Sequence, residues 1–595
     1  SFDTGIASEL SDGHGENDVS DLVRANAFVL PAGAGWYRYH ALFADVLRLK
    51  LRHESPDLVP ELHRRAAGWY RRSGLLTQAV RHAAAAGDWQ LAAAIVVGEL
   101  AVGQLTETGG DHSLADEFTR MRPAQAWTRP EPLLVAAALA LAEDRPASTW
   151  LAAAEGMLGA LPPAEATPAR LAAAQIRLAA SRRTGGLGSM AAAVVEAQAM
   201  LAAMPTGVVA RCPWIGAQVL SGRGAVELWS GHLGEAAATF EAAIAAVPAD
   251  STHERAGCLG YLALADALRG RLNRAAGTAA QASAGNGERL SAPVSPAAHV
   301  ALAAVHVERN ELRQAHGELK QAEAALRLHP DRLTGMVACL VAARKALAEG
   351  HPDSAVEIVR KARQGGPLPY WLERRLAMLE SRACAAAGDA TSALDAAGRA
   401  DPASLEAAVT QAHAWLAAGD PQAARKSLAG HRERAEAVPD HVRLEAWLAT
   451  ARLSYGSGDR AEGRRSLQRA LRLGEPERLR LPFALERTWL RRVLRADPDL
   501  AHVYRDLLEP DLVGPAREPA PERGASPAPV MLEPLSSRER EVLQYAAEML
   551  DTTEIAAVLF ISVNTVKSHL KSIYRKLAVT HRGEAVRRAR QLRIL

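Results

Sequence analysis

Asn564, Lys567, Ser568, Lys571 and Arg575 fall on one face if Ile561–Leu577 (ISVNTVKSHLKSIYRKL) is wound as a helix. Ammonium and guanidinium groups attract phosphate, and Lys, Ser and Asn side chains hydrogen-bond base edges, so the chemistry these types can do together is recognition of nucleic acid. The opposite face carries Val566, Leu570, Ile573 and Leu577, at steps of four, three and four. A helix of this kind is half buried in a small bundle and half presented to DNA. From Val563 to Leu595 there are nine Lys or Arg against the single acid Glu584, a net charge of +8 in a chain whose total is +3. That concentration is an electrostatic footprint for a polyanion.

The neighbouring elements have the lengths needed to hold such a helix. Ser562 stands where an N-cap belongs. Thr552–Leu559 reads as a short helix with Ile555, Ala556 and Leu559 inward, and Phe560-Ile561-Ser562 is a connection of helix-turn-helix length. Ser536 and Glu539 form a capping box that opens a helix with Val542, Leu543, Ala546 and Ala547 on one side. A fourth helix, Arg582–Leu592, has the stripe Ala585, Val586, Ala589 and Leu592.

These residues resemble the LuxR-type DNA-binding domain over Leu535–Leu595. The likeness is carried by Leu535-Ser536-x-Arg538-Glu539-Arg540-Glu541-Val542-Leu543, Glu554-Ile555-Ala556, Ile561-Ser562-x-x-Thr565-Val566-Lys567-x-His569 and Lys576-Leu577-x-Val579-x-x-Arg582. Met549 and Ala578 depart from it, each standing where a Gly is usual. The resemblance implies that Lys567, Ser568 and Lys571 face base edges and that Thr565 and Arg582 lie nearer phosphates. It also implies a homodimer on double-stranded DNA through the last helix, with Val586 and Ala589 at the contact.

A chain of 595 residues exceeds one core, and its alanine-rich composition, with 5% aromatics, favours closely packed helices. The fold class expected is all-α. Cys212, Cys258, Cys339 and Cys384 are scattered without a C-x-x-C, which argues for small buried hydrophobes rather than a disulfide framework or zinc site. There is no H-E-x-x-H and no G-x-S-x-G, so no catalytic residue, metal or cofactor is expected. No apolar run of membrane-spanning length and no signal-peptide pattern occur, and the expected location is cytoplasmic, with no membrane partner.

Residues 1–61 are expected to form a winged-helix-like unit. Ser1–Asn17 reads as loop, Asp21–Ala27 as a helix, and Phe28–Pro31 with Trp36–Tyr39 as a hairpin turning at Gly33-Ala34-Gly35 before a helix from His40. The wing carries Trp36, Tyr37 and Tyr39 and few charges, which favours packing over DNA contact. His40, His63 and His82 sit in packing contexts. Trp36-Tyr37-Arg38-Tyr39-His40-x-Leu42-Phe43, Leu62-His63-Arg64-Arg65-Ala66-Ala67-x-Trp69-Tyr70 and Gly74-Leu75-x-x-x-Ala79-Val80-x-His82-Ala83 are similar to the segment after the ATPase module of MalT-like regulators, large LuxR-type proteins of the STAND class. That resemblance implies the order winged helix, helical repeat sensor, LuxR-type domain. No Gly-Lys pair occurs in the sequence, so it holds no Walker A motif. The chain starts at Ser1 inside what reads as a domain, and a longer parent protein is expected.

Residues 62–508 read as a tetratricopeptide-like α-solenoid. Gly231, Gly270, Asn310, Gly350, Gly388, Gly419 and Gly458 recur at spacings of 39, 40, 40, 38, 31 and 39. Five residues after each stands a small one: Ala236, Ala275, Ala315, Ala355, Ala393, Ala424 and Gly463. Gly87 with Ala92, and Gly188 with Ala193, extend the pattern. A left-handed Gly or Asn ends one helix, and the small residue lets the next approach it. The concave face of such a stack is the expected place for an unknown inducer or protein. Trp214, Trp229, Tyr261, Trp371, Trp415 and Trp447 are the aromatic candidates there, although packing roles are commoner. Residues 509–534 are a Pro-rich tether, and 535–595 the DNA-binding domain. The leading function is a transcription regulator. The alternatives are a protein-interaction scaffold and the remnant of a nucleotide-regulated switch.

Overall fold

The computed structural model describes residues 2–508 and 535–589, except 12–14, 26–27, 34, 107–113, 122–126, 213, 248–251, 285–294, 367, 401–403, 430–437, 548–551, 560, 578, 580–584 and 586–588. Two compact units divide at Val513 and Gly514. The tether 509–534 lies outside the described residues, as do Met549, Ala578, Arg582, Val586 and Arg588. No helix among the described residues is long and apolar enough to cross a membrane.

The first unit begins with more helix than the sequence alone predicts. Thr4–Leu10 is helical because Asp3 caps it, its carboxylate accepting the Ile6 N–H at 2.8 Å, and Ile6 is buried. The next helix spans Gly15–Arg24, earlier than the expected Asp21–Ala27. Strands Val29–Gly33 and Trp36–Tyr39 form an antiparallel hairpin, with both Gly33 and Gly35 at positive φ. Trp36 meets Trp69 edge to face at 6.5 Å, and Tyr39 lies 6.0 Å from Phe43, so the wing's aromatics pack against the protein. Helix Ala41–Glu54 follows, uncapped by any side chain.

Helix pairs then stack along the chain, and the turn residues do what the spacing required. Gly231, Gly270, Asn310, Gly350, Gly388, Gly419 and Gly458 all have φ between +58° and +87°. At Gly350 the N–H donates to Leu347 O at 3.1 Å and that of His351 to Ala346 O at 2.9 Å, the paired closure of a Schellman motif. Asn310 and Glu311 repeat it on Val307 and His306. Ala236, Ala275, Ala315, Ala355, Ala393 and Ala424 are each 0% exposed, and Gly463 is buried against Tyr455. The pattern fails at one place. Gly188 lies inside helix Leu187–Ala203, and the left-handed turn is made by Gly185 (φ +83°), which puts Met190 rather than a small residue at the fifth position. Cys212, Cys258 and Cys384 are buried and Cys339 is partly so; all four are free thiols.

A methyl group on Gly350 would meet only open space, so the sole penalty for a side chain there is its φ of +81°. Gly350→Ala is expected to cost about 1 kcal/mol, whereas Asn310→Gly, at the equivalent turn, should be nearly neutral. Urea melts followed by tryptophan fluorescence compare the two, and equal losses would remove the left-handed turn as the reason for the repeat.

Between Trp214–Ser230 and Asp440–Gly456 side chains from several repeats meet on the inner side of the stack. The Trp371 indole N–H donates to Trp229 O at 3.0 Å, and Arg375 donates to Leu268 O at 3.2 Å. Glu445 accepts from Arg382 at 2.9 Å and Arg344 at 3.4 Å, and Arg344 also holds Glu308. Helices from four repeats therefore meet through charged side chains, leaving a cavity of about 140 Å³ lined by these groups and His441. Trp229 is buried and Trp371 packs on the same core. Both serve packing there.

Candidate nucleic-acid interface

The second unit is built around one seam. Val542, Leu543 and Ala546 of helix Ser537–Ala547, Ile555 and Ala556 of helix Thr552–Val558, and Val566, Leu570 and Ile573 of helix Val563–Lys576 are all buried, with Leu577, Ala585 and Ala589. Ala547 is only half buried. Of Arg582–Leu592, expected from the sequence to be a fourth helix, only Ala585 and Ala589 fall among the described residues. The turn between the second and third helices closes when Ile561 N–H donates to Ala556 O at 3.0 Å. Ser562, in extended conformation, then caps the third helix by accepting the Thr565 N–H at 3.1 Å. Arg538 reaches across to Leu559 O at 2.7 Å, tying the first helix to the end of the second.

The capping box forms in both directions. Ser536 Oγ accepts the Glu539 N–H at 3.2 Å, and Glu539 accepts the Ser536 N–H at 2.7 Å. The carboxylate, 5% exposed, does more than its place in a capping box requires. It also accepts from Ser572 Oγ at 2.7 Å and from Lys576 Nζ at 2.8 Å, so one buried charge binds the first helix to the third. Burial alone would raise its pKa, but the bonds from Lys576, Ser572 and Ser536 outweigh it and hold the carboxyl near 2. Lys576 is therefore spent inside the protein and leaves the basic face. A Lys and a Ser four apart, facing a capping-box acid, is the signal that could have found this clamp.

Asn564, Thr565, Lys567, Ser568, Lys571 and Arg575 are all exposed. Eleven residues separate the first from the last, a ridge of about 16 Å at 1.5 Å per residue. Among the described residues neither Lys567 nor Lys571 has an ion pair, and no Asp or Glu occurs in the sequence between Glu554 and Glu584. A cationic ridge, set on a rigid seam and preceded by a short helix and a tight turn, has the dimensions of a helix that enters a DNA major groove.

This is the arrangement of a helix-turn-helix domain, and the comparisons with known proteins name its kind. Residues 533–589 match "Bacterial regulatory proteins, luxR family", and residues 1–59 match "MalT winged helix domain". The chain therefore carries a MalT-type winged helix at one end and a luxR-family domain at the other. It is 42% identical over 91 residues to "Probable transcriptional regulatory protein NarL" of Mycobacterium tuberculosis, covering 15% of this chain and 40% of that protein. It is 34% identical over 77 residues to "HTH-type transcriptional regulator MalT" of Klebsiella pneumoniae, 13% of this chain and 8% of that one. A third relative, "Serine/threonine-protein kinase PknK" of Mycobacterium tuberculosis, is 49% identical over 53 residues, 9% of this chain and 5% of the kinase. Each match thus spans less than half of the relative's length.

Proposed function

We propose that the chain is a DNA-binding transcription regulator in which the helical array reads a cue and the C-terminal helix-turn-helix binds promoter DNA. The observation that carries this is the exposed row Asn564, Thr565, Lys567, Ser568, Lys571 and Arg575 over a fully packed apolar seam. Lys567, Ser568 and Lys571 read base edges; Thr565, with Arg582, contacts phosphate; a homodimer forms on the duplex through the last helix. The winged helix over 1–61 packs, the array over 62–508 senses an inducer or protein, and 509–534 tethers the reader. The role is non-enzymatic, in the cytoplasm.

Mapping genomic binding with the full chain identifies the promoter, and mobility shifts on it provide the test. Lys571→Ala is expected to lose about 1–3 kcal/mol and to relax discrimination at one base step, with Lys567→Ala behaving alike. Arg588→Ala should weaken binding uniformly across sequences. Unchanged discrimination in both lysine variants would reject the assigned face.

A further inference from the structure

The end of the helical array carries a second cationic surface. Over residues 460–495 there are eleven arginines against four glutamates, a net charge of +7 in a chain whose total is +3. In helix Arg487–Ala496, Leu490 and Leu494 are buried, while Arg487, Arg491, Arg492 and Arg495 are exposed. Arg487, Arg491 and Arg495 stand four apart, a rise of about 6 Å per step, close to twice the 3.4 Å per phosphate of one DNA strand.

Beside this ridge runs an open groove of about 940 Å³, and Arg492 belongs to both. The groove is lined by Arg425, Arg452, Arg460, Arg464 and Arg492, with Trp489 and Tyr455 among them and Asp497 as its single carboxylate. Arg464 is paired with Asp497 at 2.5 Å, and Arg452 with the buried Glu486 at 3.1 Å. Among the described residues Arg460 and Arg492 have no ion pair, and both are exposed. Trp489 and Tyr455 pack on the core beneath, and the guanidinium groups above them, with a single carboxylate in the lining, form a cationic surface for a phosphodiester backbone.

We infer that this ridge and groove form a second DNA-binding site, which grips the phosphate backbone without reading bases. The inference rests on the DNA-binding reading of the helix-turn-helix, because a duplex held there raises the local concentration of phosphate for any cationic face on the same chain. A free phosphate or nucleotide would need a closed pocket; an open groove with a ridge beside it suits a polymer.

The test uses the full chain and a duplex long enough to exceed the helix-turn-helix footprint, with affinity measured by fluorescence anisotropy against salt. Arg460→Gln/Arg487→Gln/Arg492→Gln is expected to lower the slope of log affinity on log salt by about 2–3, roughly 0.9 per lost phosphate contact, with base discrimination intact. The Arg→Lys version of the same three sites should restore most of the slope, which a purely structural role would not. A Lys567→Ala/Lys571→Ala background should keep a salt-sensitive residual binding whose slope the three Gln changes lower by the same amount. An unchanged slope and residual, alongside lost discrimination in the lysine variants, overturns this site and leaves the helix-turn-helix reading standing. Unchanged discrimination in the lysine variants instead rejects that reading. Competition by millimolar inorganic phosphate at constant ionic strength would assign the groove to a small anion and overturn the duplex site.

Discussion

Glu539→Ala should abolish DNA binding although Glu539 is buried and lies off the exposed ridge. Its carboxylate is the common partner of the Ser536 N–H, the Ser572 hydroxyl and the Lys576 ammonium, at 2.7, 2.7 and 2.8 Å. Removing it takes from Lys576, whose side chain is 15% exposed, the carboxylate that holds it, and frees the start of the first helix. Breaking one side of a buried ion pair costs about 3–5 kcal/mol. A domain of this size has about that much stability in total. The expected result is loss of amide-exchange protection across Ser537–Lys576 and loss of promoter binding together. Tryptophan fluorescence should not change, because all eleven tryptophans lie in the first unit. Glu539→Gln keeps the neutral hydrogen bonds and should fall between. Native protection in Glu539→Ala would show that the apolar seam alone holds the third helix. The same carboxylate gives a pH dependence. With its folded pKa near 2, below the ordinary value of 4.5, its contribution is complete above pH 4.5 and is lost as pH falls towards 2.

The recognition helix was legible because its signals are local. Val566, Leu570, Ile573 and Leu577 repeat at the helical period, Ser562 offers a cap, and the spacing of the neighbouring helices weighs against reading the basic row as a merely solvated face. The array was legible for the same reason. A left-handed Gly or Asn and a small residue five positions later report a helix pair without reference to the rest of the chain, and where Gly185 took the turn from Gly188 the small-residue rule broke with it. What the sequence did not disclose depends on contacts between distant residues. Lys576 reads as one more phosphate-facing cation until Glu539, 37 positions away, is seen to hold it. Trp371 reads as packing or as a ring on the concave face, with packing the commoner, until its indole meets Trp229, 142 positions away. Superhelical curvature decides that meeting, and curvature accumulates from small rotations in each repeat that no motif records. At the amino end a single capping acid, Asp3, is too weak a signal against a Gly- and Ser-rich stretch to announce a helix.

The clasp inside the array should make it acid-labile, and Glu445→Ala should show why. Glu445 sits between Arg344 and Arg382, and burial, which would raise its pKa, is outweighed by those two guanidiniums and by His413 and His441, which bring it to about 2. Truncation leaves two mostly buried arginines facing each other, one of them shared with Glu308, and about 3–5 kcal/mol is the expected loss. Because the clasp joins helices of four repeats, the loss should be felt as one cooperative shift in the tryptophan melt rather than as fraying at one end. Acid titrates the same cluster in two stages. His413, buried 3.3 Å from Glu486, has its pKa lowered to about 4 by burial and then by Arg382, and His441 is lowered chiefly by burial. Unfolded histidine takes up its proton near 6.5, so the folded state loses stability as pH falls from 6.5 to 4. Glu445 adds its own loss between 4.5 and 2. His413→Gln should reduce the first stage, which His441 shares, and leave the second, while Glu445→Ala should reduce the second, which Glu486 shares. A melting temperature that stays level from pH 7 to 4 in the unaltered chain would mean the histidines are protonated in place and that the clasp accommodates their charge without loss.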